Sequence, residues 1–196
     1  MDLDVGEVEP LALLESWFAE AEAAGVQAPR TVAFVTVGSD GRPSARTVLL
    51  KRLEERALVF SSALWTRKAR EIAANPHVAL LFHWPAVGRQ VHVTATAAVA
   101  ERELAEELFS ERDMGHRVQT LVSRQGETID SIDVLRARHA HLMDVLEAPP
   151  QCPEDWGAIR VIPETIEFWD EAADRMHDRL LFERVGDGWR TSRLAP

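Results

Sequence analysis

Two β-branched runs flank an Asp-Gly pair in "TVAFVTVGSDGRPSARTVLLKRL", residues 31–53. Asp40-Gly41 is a hairpin signal, because glycine takes the positive φ that a tight reversal needs. The pair therefore predicts antiparallel strands, and the segments that follow extend the same pattern. "ALVFSSA" (57–63) reads as a third strand, and "HVALLFHW" (77–84) and "RQVHVTATAAVA" (89–100) as two more around a turn with Pro85 and Gly88. In the last of these Val91, Val93 and Ala95 alternate with Gln90, His92 and Thr94, the period of a strand with one buried face.

Helical spacing appears around these strands. In "PLALLESWFAEAEAAGV" Pro10 suits a helix start, Leu11, Leu14, Trp17, Phe18 and Ala21 make an apolar stripe, and Gly25 is a stop. Residues 65–76 read as a short helix with Thr66 as N-cap and Asn75-Pro76 as terminator. Residues 101–112 are helical by propensity, and 131–148 form a long amphipathic helix ended by Pro149-Pro150. Three strands close the chain: 156–163, 165–170 and a stretch from 179 to 194 folded at Gly186-Asp187-Gly188. Residues 1–9 read as a mobile acidic lead-in and 10–196 as one domain. The expected fold is α+β and mainly β, an antiparallel β-barrel flanked by helices.

Bulk chemistry narrows the partners. A formal net charge of −10 disfavours nucleic acid and anionic membranes, which select basic surfaces. No run approaches the ~18 apolar residues of a membrane span. "MDLDVGEVEP" lacks the basic and apolar regions of a signal peptide, so a cytoplasmic location is expected. Cys152 is the single cysteine, which excludes an intrachain disulfide and a thiolate cluster and reads as an inert loop thiol. His139 and His141 stand two apart on a helix and diverge, while His83, His92 and His116 are isolated, so no metal is expected. The phosphate-loop, dinucleotide and nucleophile-elbow motifs are absent.

Five stretches suit a small anionic, aromatic ligand. Arg175, His177 and Arg179 stand two apart after Phe168-Trp169, and strand alternation puts all three on one face. That pattern fits either a solvated edge strand or an anion site. Ser61-Ser62 end a strand and Arg67-Lys68 open a helix, where unpaired N–H groups favour a phosphate. Arg46 and Lys51, five apart on one strand, serve different contacts. Gln90 offers a paired donor and acceptor to a heteroaromatic edge, and Gln125 lies in a polar loop, 122–127.

Taken in order, "RTVLLK", "FSSALWTRKA", "LLFHWPAVGRQV", "VSRQG", "IEFWD…RMHDRLLFER" and "WRTSRLAP" resemble the pyridoxamine 5′-phosphate oxidase family over residues ~30–196. The resemblance implies an FMN-binding split barrel, a homodimer with flavin at the subunit interface. It carries FMN contacts onto Arg46, Lys51, Ser61, Ser62, Arg67, Lys68, Gln90, Gln125, Trp169 and Arg179. Substrate contacts fall on Lys51, Arg112, His116, Arg175 and His177, the last two acting in catalysis by positioning and electrostatics. The implied reaction converts pyridoxine or pyridoxamine 5′-phosphate to pyridoxal 5′-phosphate, with O2 as acceptor and H2O2 as product. Related phenazine-biosynthesis oxidases, acting on unphosphorylated aromatics, and non-turnover flavin-binding barrels are the alternatives. Four positions depart from the family: Leu108 replaces a phosphate-binding tyrosine, His116 a serine, Gly126 a serine, and Ser61 a frequent tyrosine.

Overall fold

The computed structural model describes residues 8–196, so most of the predicted acidic lead-in lies outside the described residues. Helix α1 (Pro10–Ala23) buries Pro10, Leu11, Leu14, Trp17, Phe18 and Ala21, the stripe that helical spacing selects. It stops where Ala24 and Gly25 donate to Glu20 and Glu22 carbonyls, and Gly25 takes φ +81°, as a helix C-cap favours.

Strands β1 (Thr31–Val37) and β2 (Pro43–Leu49) pair antiparallel in the predicted hairpin, from Thr31↔Leu49 to Val37↔Pro43. Gly41 supplies φ +74° in the turn, and Asp40 Oδ1 accepts the Arg42 N–H. A short β3 (Arg52–Leu53) precedes β4 (Leu58–Ala63) and α2 (Arg67–Ala74). Then come β5 (His77–Trp84), a single 3₁₀ turn, and β6 (Arg89–Val99). Helices α3 (Arg102–Ser110), α4 (Met114–Val122) and α5 (Ile132–Val145) follow, and β7 (Trp156–Asp170), β8 (Asp178–Val185) and β9 (Gly188–Arg193) close the chain.

The sheet order is β2-β1-β5-β6-β7-β4-β3, with β8 pairing β7 and β9 pairing β8, and every pair is antiparallel. The two strands expected at 156–163 and 165–170 are one continuous strand, β7, of 15 residues. One edge of β7 pairs β6 along most of its length. The other pairs β4 over Trp156–Val161 and β8 over Thr165–Asp170. Pro163 sits at the change of partner, opposite a register shift between Thr94 and Ala95 of β6. Proline has no N–H to give a ladder, so a strand can tolerate it where one neighbour leaves and the next begins. The sheet curls back on itself: Phe34 of β1 and Phe60 of β4 lie four strands apart yet meet at 5.2 Å.

Helix α1 fills the resulting concavity. Trp17 packs edge-on against Phe168 at 5.0 Å and Phe18 against Phe82 at 5.2 Å, while Trp84 donates its indole N–H to the Pro29 carbonyl at 2.9 Å. A smaller apolar cluster, Val59, Leu104, Ala105, Leu108 and Ala158, packs α3 on the outer side of β4 and β7. Strand β4 is thus covered on both faces, the physical reason for its near-unbroken burial and for the apolar run at its start. Helix α4 was not expected; Asp113 caps it by accepting the His116 N–H at 2.8 Å. Helix α5 has no fully buried residue and rests on α4, with His139 Nε2 2.9 Å from the Gly115 carbonyl oxygen. Among the described residues no helix is long and apolar enough to cross a membrane.

Glu71 ties α2 to the first hairpin. Its carboxylate is buried and accepts from Thr36 Oγ1 (2.5 Å), Ser44 Oγ (2.6 Å), Arg67 Nε (2.7 Å) and Arg46 Nη2 (3.4 Å). Burial by itself raises its pKa, but the hydrogen bonds from Ser44, Thr36 and Arg67 outweigh burial and bring it to about 2, from an ordinary 4.5. Because the folded pKa is depressed, the stabilisation is present above pH 4.5 and is lost as pH falls towards 2. Glu71→Gln is expected to cost about 2–3 kcal/mol at pH 7 and to flatten the acid limb of stability. Urea unfolding at pH 7 and at steps down to pH 3 measures both; an unchanged acid limb contradicts the assignment.

Candidate functional site

Seven of the expected cofactor and substrate contacts line one cavity of about 460 Å³: Lys51, Ser61, Ser62, Lys68, Arg112, His116 and Gln125. They come from distant parts of the chain. The β2–β3 connection brings Lys51, the end of β4 brings the serines, the first turn of α2 brings Lys68, the end of α3 brings Arg112, and α4 and the loop after it bring His116 and Gln125. Lys51 lies past the end of β2 and donates its backbone N–H to Val59 at 2.9 Å, so it does not share a strand with Arg46.

The cations here are poorly compensated. Among the described residues no carboxylate lies within ion-pairing distance of Lys51, Lys68 or Arg112. Burial, and then the charge of Arg112, pushes the Lys51 ammonium below its usual range. Burial, and then Arg46, does the same to Lys68, whose Nζ reaches only Gln125 Oε1, at 3.4 Å. Arg112 is also lowered, chiefly by burial. Glu111 and Asp113 also line the cavity but touch none of the three, and crowded, partly desolvated cations without a contacting carboxylate favour an anionic ligand, which restores what burial removes. The Arg112 guanidinium carbon lies over the Trp156 ring, 4.4 Å from its centroid, and the side chain donates to the His116 carbonyl at 2.8 Å. His116 Nδ1 lies 2.7 Å from Asp113 Oδ2. Leu108 is buried beside these groups and brings no polar atom.

Arg46 and Arg67 do not line the cavity; both engage Glu71. Thr66 occupies the N-cap position of α2, but its hydroxyl turns to the Ala63 carbonyl at 2.8 Å instead of capping. The first-turn N–H groups of α2 therefore receive no bond from it.

The other expected residues form a second group. Gln90, Trp169 and Arg179 stand on one rung across β6, β7 and β8, so their side chains share a face. Arg179 donates to Glu167 Oε1 at 2.7 Å and to the Ala195 carbonyl at 2.9 Å. Arg175 and His177 require a correction: β8 begins at Asp178, so strand alternation does not align them with Arg179. They lie in the loop before it, where Arg175 takes φ +66° and donates its N–H to the Ala172 carbonyl at 3.0 Å. A non-glycine residue there costs roughly 1–2 kcal/mol, so the loop is held by its surroundings. The His177 ring lies 4.6 Å from Trp169, tilted by 40°.

The cavity contains none of this second group, and among the described residues no hydrogen bond or ion pair joins the two. The larger cavity, about 860 Å³, reaches Lys51, but several of its other cations are paired: Arg30 with Glu15, Arg56 with Asp187, and Arg52 with Glu107 and Glu111. Sequence reasoning missed Trp156, Asp113 and Glu71. Only the Asp113-x-x-His116 capping spacing was legible beforehand.

Residues 18–145 match the family model described as pyridoxamine 5′-phosphate oxidase, and 156–196 match one described as the pyridoxine 5′-phosphate oxidase C-terminal dimerisation region. A pyridoxine/pyridoxamine 5′-phosphate oxidase of Rubrobacter xylanophilus is 44% identical over 98% of this chain and 89% of its own length. One of Burkholderia multivorans is 40% identical over 96% and 89%. Among solved structures, PhzG of Burkholderia lata, in complex with tetrahydrophenazine-1-carboxylic acid, superposes with a TM-score of 0.91 at 30% identity, over 98% of this chain and 95% of that one. A pyridoxamine 5′-phosphate oxidase-related, FMN-binding protein of Nostoc punctiforme shares the fold, with a TM-score of 0.80 at 16% identity over 97% and 99% of the two chains. Across nearly its whole length the chain belongs to the pyridoxamine 5′-phosphate oxidase family and is a flavin-dependent oxidase on a split β-barrel.

Proposed function

We propose that this oxidase converts pyridoxine or pyridoxamine 5′-phosphate to pyridoxal 5′-phosphate, with FMN as cofactor, O2 as acceptor and H2O2 as product. The observation that carries the reading is the set of cations without a carboxylate in contact, exposed Lys51, buried Lys68 and half-buried Arg112, around one cavity. Such a set suits two phosphates, one on the cofactor and one on the substrate. The relatives named for this activity, at 40–44% identity, support it.

The residues fit FMN. Ser61, Ser62, Arg67 and Lys68, at the end of β4 and the uncapped start of α2, would hold its phosphate. Arg46 and Gln125 would complete that half, and Gln90, Trp169 and Arg179, on their shared rung, would meet the flavin ring. The two groups lie apart in one protomer, and the C-terminal match is to a dimerisation region. Both observations support a homodimer in which each flavin lies between the subunits. Bound FMN supplies the hydride acceptor. The chain's own groups bind and orient: Lys51, Arg112 and His116 hold the substrate phosphate, and Arg175 and His177 lie over its ring. No side-chain nucleophile is required. In the net reaction the amine, O2 and water yield aldehyde, ammonia and H2O2; the alcohol and O2 yield aldehyde and H2O2.

Leu108 favours a second reading. A missing hydroxyl donor to a charged phosphate costs about 1.5–3 kcal/mol, and an apolar wall suits a larger unphosphorylated aromatic, the ligand class in the PhzG complex. Peroxide release from the FMN-reconstituted protein separates the readings. Turnover of pyridoxamine 5′-phosphate, with little from pyridoxamine, is expected. Turnover of neither, with flavin bound, moves the assignment to polycyclic substrates.

Lys51→Met should raise KM for the phosphorylated substrate by about 10–100-fold, with a smaller change in kcat; an unchanged KM removes Lys51 from the phosphate site. Arg175→Gly relieves the left-handed backbone and removes the guanidinium together. Its unfolding midpoint should not fall while turnover drops, and undiminished turnover would show that Arg175 plays no part in the reaction.

A further inference from the structure

Helix α2 opens on the wrong charges for a helix standing alone. Arg67 and Lys68 occupy its first turn with no acidic side chain, although the positive end of the helix dipole favours acids. The carboxylate paired with Arg67 lies one turn later, at Glu71, the less favourable order for an i,i+4 ion pair. A pair serving helix stability alone would run the other way. This order leaves the mouth of α2 positive and still fixes the arginine.

Glu71 is buried, whereas the Arg67 side chain is 64% exposed. One carboxylate oxygen, Oε1, accepts from Arg67 Nε at 2.7 Å. Among the described residues the two terminal nitrogens of Arg67 have no hydrogen-bond partner. An arginine gripped at Nε keeps a planar fork of two nitrogens, the shape that meets a phosphate bidentately. The other oxygen, Oε2, is held by the first hairpin. Arg46 donates to Thr36 Oγ1 at 2.6 Å and to Ser44 Oγ at 2.5 Å, and both hydroxyls donate on to Oε2. Arg46 also donates to the Phe34 carbonyl at 3.1 Å and to Oε2 itself at 3.4 Å, so both of its terminal nitrogens are engaged. Arg46 braces the carboxylate, and the carboxylate aims Arg67.

We propose that Glu71 is a positioning residue for the flavin phosphate: it touches no ligand, and it holds Arg67 so that the free nitrogens meet the phosphate beside Lys68. The proposal rests on FMN as the cofactor, the reading given above. An exposed arginine without this grip loses its side-chain freedom only when the ligand arrives, and affinity falls by that entropy. The carboxylate's own negative charge does not decide the outcome, because Arg46 and Arg67 both contact it.

A double-mutant cycle tests this, with the FMN dissociation constant of the flavin-free full chain read by flavin fluorescence. Glu71→Gln keeps the volume and removes the charge that holds the arginine; Arg67→Ala removes the fork. Each substitution should weaken FMN about tenfold, and Glu71→Gln should add less than about twofold where Arg67 is already alanine. Equal losses in both backgrounds, as a merely structural role gives, overturn the proposal. Unchanged or tighter FMN binding by Glu71→Gln does the same. Riboflavin, which lacks the phosphate, should lose less than about twofold in Glu71→Gln; a loss matching that of FMN overturns the phosphate role. Arg67→Lys serves if Glu71→Gln does not fold. It keeps an exposed cation but removes the Nε that Glu71 grips, so FMN should again weaken several-fold, and unchanged binding overturns the proposal. Failure of the unsubstituted protein to bind FMN overturns the cofactor reading and the role of Glu71 with it, whereas normal binding without coupling in the cycle overturns the role of Glu71 alone.

Discussion

One edge of β7 carries two neighbours in succession, and the rest of the molecule depends on that exchange. Below Pro163 the strand pairs β4, and above it β8, while its other edge stays on β6. A strand shared in this way lets the sheet curl until β1 and β4 share a core through Phe34 and Phe60. It also fixes where the candidate site residues lie. The lower partner, β4, delivers Ser61 and Ser62 to the start of α2. The upper partner, β8, sets Arg179 beside Trp169 and Gln90.

The two residue groups differ in kind. Around the cavity the groups are cationic and half-desolvated, with lysines whose pKa values burial lowers, so their free energy improves when an anion arrives. On the β6–β8 rung and in the loop before β8 the groups are planar and already engaged: Arg179 on Glu167, and the loop's His177 on Trp169 and Ala172. Under the proposed function one group would meet the phosphates and the other the rings. A flavin-dependent oxidase needs both functions at one place, and a second copy of the chain is the economical means of joining them. Glu71 serves the cationic side, because it tethers Arg46 and Arg67 between α2 and the first hairpin without reaching the lysines.

Much of the fold was legible because it rests on local rules. The stripe of α1, the Asp40-Gly41 hairpin and the alternation of β6 follow from periods of 3.6 and 2 and from glycine's tolerance of positive φ. Helix α4 was missed because a short polar helix with two buried residues has little periodic signal beyond its cap. The two predicted strands at 156–170 were split at Pro163, since proline usually ends a strand and only the switch of partner explains its place inside one. Arg175 and His177 were placed on a strand by their spacing, yet hydrogen bonds of the loop to Ala172 and Gly88, invisible in a linear pattern, hold them instead.

The sequence by itself determined the antiparallel sheet, the helices around it and the residue types able to meet a phosphate and an aromatic ring, because each follows from neighbours within a few positions. Tertiary structure alone decided which of those residues meet. Lys51, Lys68 and Arg112 become one cavity only when β4 is seated on β7 and α3 on both. Gln90, Trp169 and Arg179 become one rung only through register. The His177 ring is held by a backbone N–H five residues away. Burial and register are properties of the closed sheet, and they set charge, direction and partner where residue identity sets only capacity.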